Sequence, residues 1–155
     1  MKVIEIKETL KNLEQRSNCI KRKVAAFMLD DPHVSGVNYI HQKAQCIASS
    51  NCLICTQCAN SEVRKANNII CMALHAEIAC LTKAYYYIGG SCDAMCVSYT
   101  PCIECCKAII DANIKYVLVA EPSKHHDKIK DLLANCGVKV IDLWKLIDTM
   151  EIGEE

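Results

Sequence analysis

Apolar residues at helical spacing open the chain. An apolar side chain recurs every three or four positions at Val3, Ile6, Leu10 and Leu13, and charged or polar residues fill most of the places between them. Because this period puts the four apolar side chains on one face, the pattern predicts an amphipathic first helix over residues 3–16.

Two short apolar runs follow this helix, over residues 24–29 and 34–40. The turn signal Asp30-Asp31-Pro32 lies between them, so the two runs predict a β-hairpin. Residues 41–70 are polar, rich in cysteine and without a clear period. A structureless stretch of that length is unusual in a compact domain, and something should therefore hold it in place.

Strand and helix patterns alternate after residue 70. The expected helices lie over 75–87, 102–113 and 125–135, the expected strands lie over 93–98, 116–120 and 138–141, and a short helix around Trp144 ends the chain. Alternation of this kind predicts βαβ units with right-handed crossovers and parallel strands.

Length and composition indicate an ordinary globular domain. At 155 residues, with 52% hydrophobic and 23% charged residues, the chain is expected to form one domain over 1–155 that includes the cysteine-rich loop at 41–70. Its 18 Lys and Arg residues balance 18 Asp and Glu residues. Proteins that grip phosphate backbones usually carry a basic excess, so this balance favours a small-molecule substrate over a nucleic acid.

The cysteine content is high for a chain that shows no secretion signal. Its N-terminal stretch is charged throughout, which is unlike a signal peptide, and no apolar run is long enough to span a membrane. The odd count of 13 cysteines disfavours a disulfide scaffold, and we expect a cytoplasmic protein. Five cysteines lie among apolar or element-forming residues and are expected to be inert core thiols: Cys71, Cys80, Cys92, Cys96 and Cys136.

Two short motifs carry candidate chemistry. The first is His75-Ala76-Glu77 and the second is Pro101-Cys102-Ile103-Glu104-Cys105. A lone C-x-x-C occurs in redox and structural zinc sites alike, but H-x-E combined with P-C-x-x-C is the signature of zinc-dependent nucleobase deaminases. The pair therefore predicts a hydrolytic zinc site in which His75, Cys102 and Cys105 are the ligands and a water takes the open fourth position.

Local structure explains why these residue types suit a metal. Both motifs open predicted helices, and the partial positive charge of a helix N-terminus lowers the pKa of a thiol. The offset of three residues puts Cys102 and Cys105 on one side of the first helical turn. Two thiolates and a neutral imidazole then cancel the charge of Zn²⁺, which still lowers the pKa of its water.

Glu77 is the candidate proton shuttle. It would take a proton from the water, pass it to ring N3 of an amino-pyrimidine and then protonate the leaving amine. A surface helix carboxylate is the alternative for this residue taken alone, and its place beside His75 favours the catalytic role. Cys106 faces about 100° away from Cys105 around the helix and is expected to be a bystander.

Three residues are candidate substrate contacts, namely Asn38, Lys23 and Ala76. Asn38 falls in the second apolar run, where its amide would reach a sugar hydroxyl, and a turn at the end of a strand is its alternative role. Lys23 would contact a phosphate, with a solvated surface lysine as the alternative. Four other histidines show no convincing partner and are expected in turns or on the surface: His33, His41, His125 and His126.

A second group of cysteines falls mainly in the segment without a period. Cys46, Cys52, Cys55 and Cys58 lie there, and Cys19 lies upstream. The C-x2-C-x2-C spacing lets two or three sulfurs reach one ion, and structural zinc sites have four protein ligands. We expect four of these five cysteines to hold a second, structural zinc that orders the loop, with a loop of free thiols as the alternative.

At these motifs the chain resembles the deoxycytidylate (dCMP) deaminase family, in particular its bacterial and phage branch. The segment TPCIECCKAIIDANIKYVLVA is similar to that family's second motif and the strand after it, and SNCIKRKVAAFML is similar to the end of its first helix and its first strand. The resemblance implies a three-layer α/β/α fold around a five-stranded mixed sheet, a homo-oligomer and a substrate contact from Asn38. It also implies conversion of dCMP to dUMP and ammonia, which feeds thymidylate synthesis. Some members hold a second zinc through a cysteine at the position of Cys19.

The chain departs from the family's pattern at three places. Ala79 stands where the family usually has Asn, Ala25 stands where it has Gly, and Tyr39-Ile40-His41 replaces a glycine-rich stretch that contributes to dCTP regulation. The alternatives that stay open are a tRNA adenosine deaminase, a deaminase of free cytidine or cytosine, and a zinc-binding module without catalysis. The intact Glu77 argues against the last of these.

Overall fold

A mixed five-stranded sheet forms the centre of the structure. The computed structural model describes residues 1–19, 22–40 and 73–153, so the expected cysteine-rich loop at 41–70 lies outside the described residues. The strands are β1 (Ala25–Met28), β2 (Ser35–Val37), β3 (Tyr39–Ile40), β4 (Ala73–Leu74), β5 (Ala94–Tyr99), β6 (Tyr116–Glu121) and β7 (Lys139–Asp142). Five of these strands form the main sheet, in the order β2-β1-β5-β6-β7, and β3 and β4 form a separate two-stranded sheet.

Strand pairing in the main sheet follows the sequence pattern. β1 is antiparallel to β2, with Ala26 opposite Gly36, which confirms the predicted hairpin. β1 is also antiparallel to β5, whereas β5, β6 and β7 are parallel to one another, as the alternation of strands and helices predicts. The sequence pattern does not predict the separate antiparallel pair of β3 and β4. It treats residues 34–40 as one run, whereas the chain leaves the main sheet at Asn38.

Helices cover both faces of the sheet, which confirms the three-layer α/β/α arrangement. The helix α1 (Val3–Glu14) buries its predicted apolar face on one side. On the other side lie α2 (Ala76–Ile88), α3 (Ile103–Asp111) and α4 (His126–Asn135). A 3₁₀ turn at Leu143–Lys145 carries Trp144. Among the described residues, no helix combines the length and the apolar character needed to cross a bilayer.

The expected surface position of His126 is wrong. The residue is only 5% exposed, although it opens α4 next to a polar loop. Its ring nitrogen Nε2 lies 2.8 Å from Oδ1 of Asp142, and its ring packs edge-on against Trp144. These partners come from the end of β7 and the turn after it, so no local pattern around His126 reveals its burial.

The expected core thiols divide into two kinds. Cys80, Cys92 and Cys96 are buried as expected, and burial raises the pKa of Cys80 to about 12, so that it stays a thiol at neutral pH. The expectation for Cys136 is wrong, because it follows the last residue of α4 instead of lying on the packed face of the helix, and it is exposed. Cys71 lies outside the described residues.

β2 and α2 approach one another closely at Gly36. A Cβ atom added to this glycine would lie 2.5 Å from the carbonyl oxygen of Ala76 and 2.5 Å from the amide nitrogen of Cys80. It would also lie 2.8 Å from the Cβ atom of Ala79. Real Cβ atoms do not come that close to backbone, so the first turns of α2 rest on β2 because position 36 carries no side chain.

Replacing Gly36 tests whether this approach sets the position of α2. We expect Gly36→Ala to lower the free energy of unfolding by about 1–3 kcal/mol or more, because the clash is with backbone atoms that cannot rotate away. Gly153→Ala is the matched control, since its added Cβ meets nothing within 4 Å, and it should change stability by less than about 0.5 kcal/mol. Urea unfolding of both variants measures the difference, and equal midpoints would contradict the expectation.

Candidate metal centre and active site

The two sequence motifs meet at the beginnings of two helices. His75 is the residue immediately before α2 and Cys102 is the residue immediately before α3, and both have extended backbone conformations. Cys105 lies in the first turn of α3 and is buried, while His75 and Cys102 remain open to solvent. The structure therefore brings together the three side chains that the sequence nominates as ligands.

The spacing of the donor atoms fits a tetrahedral metal ion. The Nδ1 atom of His75 lies 3.4 Å from Sγ of Cys102 and 3.3 Å from Sγ of Cys105. All three donor atoms lie within 4.8 Å of one another. Ligands at the usual zinc–sulfur and zinc–nitrogen distances stand roughly 3.5 Å apart on a tetrahedron, so His75, Cys102 and Cys105 would hold zinc with little rearrangement.

The two thiols of the site differ in pKa. A hydrogen bond from Cys105, and then one from His75, lowers the pKa of Cys102 to about 3. The same hydrogen bond to Cys102, together with burial, raises the pKa of Cys105. A thiophilic cation that binds both cysteines as thiolates would displace the proton of Cys105. On the other side of the site, the hydrogen bond with Cys102 raises the pKa of His75.

Glu77 lies beside the ligands in the first turn of α2. It is 5% exposed, and its Oε2 atom accepts a hydrogen bond from Sγ of Cys105 at 3.3 Å. Burial raises the pKa of the Glu77 carboxyl, and hydrogen bonds from the backbone and from Cys105 oppose that rise in part. A carboxyl whose pKa is raised towards neutral pH is suited to give and take protons.

The side chain of Asn38 forms hydrogen bonds that link the hairpin to the segment before it. Its Oδ1 atom accepts hydrogen bonds from the Ser17 hydroxyl at 2.7 Å and from the Val24 amide at 2.8 Å. Its Nδ2 atom donates to the carbonyl oxygen of Arg22 at 2.6 Å. Asn38 therefore fastens the end of β2 to the beginning of β1 and to the segment after α1, and its contact with substrate stays a prediction.

The other two predicted substrate contacts have different surroundings. Ala76 is fully buried, with its carbonyl oxygen against Gly36. Lys23 donates from Nζ to the carbonyl oxygen of Ser17 at 3.0 Å. Beside it in sequence, the guanidinium of Arg22 lies 4.6 Å from the centre of the Tyr99 ring. Tyr99 ends the strand that leads into the second motif, so this contact links Arg22, which the sequence did not single out, to that strand end.

The second cysteine group falls mostly outside the described residues. Cys46, Cys52, Cys55 and Cys58 belong to the part of the chain that the structure does not describe. Cys19 is described and half-buried, and its amide donates to the Ser17 hydroxyl at 3.2 Å. The predicted second metal site therefore stays a prediction.

Comparison with known sequences supports a deaminase. The model of the MafB19-like deaminase family matches residues 2–146. ComE operon protein 2 of Bacillus subtilis is 30% identical over 149 residues, which are 92% of this chain and 72% of that protein. Deoxycytidylate deaminase of Saccharomyces cerevisiae is 25% identical over 127 residues, which are 81% of this chain but 39% of the yeast protein.

Comparison with solved structures supports the fold. The dCMP deaminase of cyanophage S-TIM5 in its apo form aligns with a TM-score of 0.62 at 23% identity, covering 90% of this chain and 94% of the phage chain. The same enzyme in complex with dCMP and dUMP aligns with a TM-score of 0.60 at 21% identity, covering 88% and 92%. These structures show the same fold, and the family model and the Bacillus relative confirm the resemblance to deaminases inferred from the motifs.

Removing a thiolate tests the metal centre. We expect the wild-type protein to bind zinc here and Cys102→Ala and Cys105→Ala each to fail to hold it, because each leaves two protein ligands where a catalytic site needs three. Cys106→Ala is the matched control, since Cys106 is buried and its Sγ faces the Pro101 carbonyl oxygen at 3.8 Å. It should keep the metal. Elemental analysis of the purified proteins measures zinc per chain, and full zinc in Cys105→Ala would remove this residue from the ligand set.

Proposed function

Because the chain belongs to the MafB19-like deaminase family, we propose that it is a zinc-dependent enzyme that removes the amine from a cytosine nucleotide. The reaction we favour converts dCMP and water to dUMP and ammonia. The observation that carries this proposal is the grouping of three metal-type donors around the buried carboxyl of Glu77. A structural metal site would have no use for an acid–base group in that place.

The chemistry divides between the metal and the side chains. A zinc ion bound by His75, Cys102 and Cys105 would supply Lewis acidity and make a water nucleophilic near neutral pH. Glu77 takes the proton of that water and delivers it to N3 of the ring as oxygen adds at C4. It then takes the second proton, from the hydroxyl added at C4, and gives it to the departing amine, so that the C4–N bond breaks, ammonia leaves and C4 becomes a carbonyl carbon. One carboxyl serves as base and then as acid because burial brings its pKa closer to neutral pH.

Three observations support a mononucleotide substrate. The chain has no net charge, which is unlike a protein that grips a polynucleotide. One relative is a deoxycytidylate deaminase, and the cyanophage dCMP deaminase of similar fold is seen in complex with dCMP and dUMP. Deamination of dCMP would supply dUMP for thymidylate synthesis. A tRNA adenosine deaminase and a deaminase of free cytidine or cytosine are the other outcomes of a substrate test.

The setting we propose is a reducing cytoplasm, with the protein as a homo-oligomer. The eight cysteines within the described ranges are all free thiols, in keeping with a reducing compartment. The homo-oligomer is what the resemblance to dCMP deaminases implies. Sedimentation of the purified zinc-loaded protein measures the oligomeric state directly.

Changing Glu77 separates chemistry from metal binding. We expect Glu77→Gln to keep zinc and the fold but to lower kcat by about 10²- to 10⁴-fold or more, because the amide cannot carry the proton in either step. The measurement is dCMP turnover beside zinc per chain. Glu104→Gln is the matched control, because this exposed carboxylate on α3 pairs with Lys107 and should leave kcat unchanged. Near-normal turnover in Glu77→Gln would remove Glu77 from the mechanism.

The phosphate of the substrate is the next point to test. We expect dCMP to be turned over with much higher kcat/KM than deoxycytidine, because binding energy from the remote phosphate stabilises the transition state. Lys23→Ala should reduce the preference for dCMP over deoxycytidine. Arg22→Ala tests whether the neighbouring cation, which lies over the Tyr99 ring, also contacts the phosphate. Cytidine, cytosine and a tRNA anticodon stem are assayed beside them. Equal efficiency on dCMP and deoxycytidine would move the protein to the nucleoside class.

We also propose a second, structural zinc, held by four of the five cysteines Cys19, Cys46, Cys52, Cys55 and Cys58. We expect about two zinc ions per chain, because four thiolates match a closed structural site. Replacing Cys55 and Cys58 together by Ser should remove one ion and lower Tm, while the site at His75 keeps its own ion. Elemental analysis of the wild-type protein that finds one zinc per chain would refute the second site.

A further inference from the structure

A chain of two hydrogen bonds, one buried and one partly buried, runs from the end of β7 to the turn that carries Cys102. The Oδ1 atom of Asp142 lies 2.8 Å from Nε2 of His126, and Nδ1 of the same ring lies 2.7 Å from the Thr100 hydroxyl. Asp142 and His126 are 6% and 5% exposed. Thr100 is the residue before Pro101, so the chain ends next to the second motif.

The acidic end of this chain is ionised and fixed in place. Burial alone would raise the pKa of Asp142, but hydrogen bonds from Lys130, Lys145 and His126 outweigh it and bring the pKa to about 2. Lys130 and Lys145 contact Oδ2 at 2.8 Å and 3.0 Å, which leaves Oδ1 for the histidine. An ionised carboxylate only accepts hydrogen bonds, so Nε2 of His126 carries a proton.

Three neighbours contact the histidine ring, namely Trp144, Asp142 and Thr100. Trp144 meets it edge-on, with ring centres 4.8 Å apart and an angle of 74° between the planes. With Nε2 directed at Asp142, Nδ1 points to the Thr100 hydroxyl. That hydroxyl also accepts a hydrogen bond from the Ser123 amide at 3.0 Å. His126 and Ser123 thus hold the Thr100 oxygen from two sides.

The strand order explains why the hydrogen bonds of the Thr100 hydroxyl affect the turn into α3. β5, β6 and β7 are adjacent and parallel, so the residues that follow them gather at one edge of the sheet. The pairing of β5 with β6 ends at Tyr99 opposite Glu121, and Pro101 has no N–H to donate. The Thr100 hydroxyl therefore ties the turn into α3 to the ends of the two neighbouring strands.

We propose that His126 is a positioning residue for the metal centre, acting through Thr100 to fix the place of Cys102. The inference rests on the metal site of the proposed function but assigns a residue outside both motifs. Partners behind the metal ligands typically contribute 10- to 100-fold to metal affinity. Because His126 acts through Thr100 and Pro101 and not by a direct hydrogen bond to a ligand, we expect the lower end of that range.

The experiment measures zinc affinity in two single variants and their combination. Thr100→Val removes the hydroxyl at nearly constant shape, and His126→Leu removes both hydrogen bonds of the ring. Each should raise the zinc dissociation constant, measured by competition with a chromogenic chelator, by about tenfold. The double variant should show no further loss, because the two residues belong to one chain of contacts. Thr100→Ser, which keeps the hydroxyl, should retain wild-type affinity.

A core truncation on the opposite face separates positioning from general instability. Val3→Ala shortens a fully buried residue of α1. It should lower Tm while leaving the zinc dissociation constant unchanged. The positioning variants should weaken zinc binding at a similar or smaller loss of Tm. If His126→Leu does not fold, the milder variant His126→Gln takes its place in the single and double variants, beside the comparison of Thr100→Val with Thr100→Ser.

Two results would overturn the inference and leave the proposed function in place. One is a wild-type zinc dissociation constant in folded Thr100→Val, and the other is a double variant whose loss is the product of the single losses. A wild-type protein without zinc would defeat this inference and the proposed function together. A wild-type protein that binds zinc but does not deaminate dCMP would defeat the proposed function alone, because the affinity comparison does not depend on turnover.

Discussion

The candidate active site depends on one packing constraint, the close contact between α2 and β2 at Gly36. His75 and Glu77 belong to the beginning of α2, whereas Cys102 and Cys105 belong to the beginning of α3, so the site exists only if the two helices begin side by side. The bare backbone at Gly36 sets the height of α2 above the sheet. Ala79, which replaces the asparagine usual in dCMP deaminases, faces the same contact, so both partners at this point are small.

Much of the fold was within reach of the sequence because its signals are local. The apolar period of α1, the turn between β1 and β2 and the alternation after residue 70 each depend on neighbouring residues, and each element appears close to its expected bounds. The candidate ligands were equally accessible, because a helix beginning aligns Cys102 with Cys105 through spacing alone. Their approach to His75 was inferred from the combination of motifs, and the structure supplies the distances.

What the sequence could not supply depends on contacts between distant segments. His126 looks like a surface histidine until the end of β7 brings Asp142 to it. Asn38 reads as a strand-end residue, yet its amide joins three segments through Ser17, Val24 and Arg22. The error for Cys136 is the opposite one: it was expected in the core because of its apolar neighbours in sequence, but it does not lie on the packed face of α4 and is exposed. In each case the deciding partner lies in another element, or the deciding fact is the side on which a helix ends.

The position of β1 in the sheet has a consequence for synthesis of the chain. All four residues of β1 are buried in the finished fold, and Ala26 is paired both with Gly36 and with Val97. The hairpin can form as soon as β2 has left the ribosome, but the other edge of β1 waits for β5, whose residues are translated much later. During that interval an apolar strand shows an open edge, which is the condition under which nascent chains associate wrongly. The chaperone demand of this protein should therefore be greatest before residue 97 emerges.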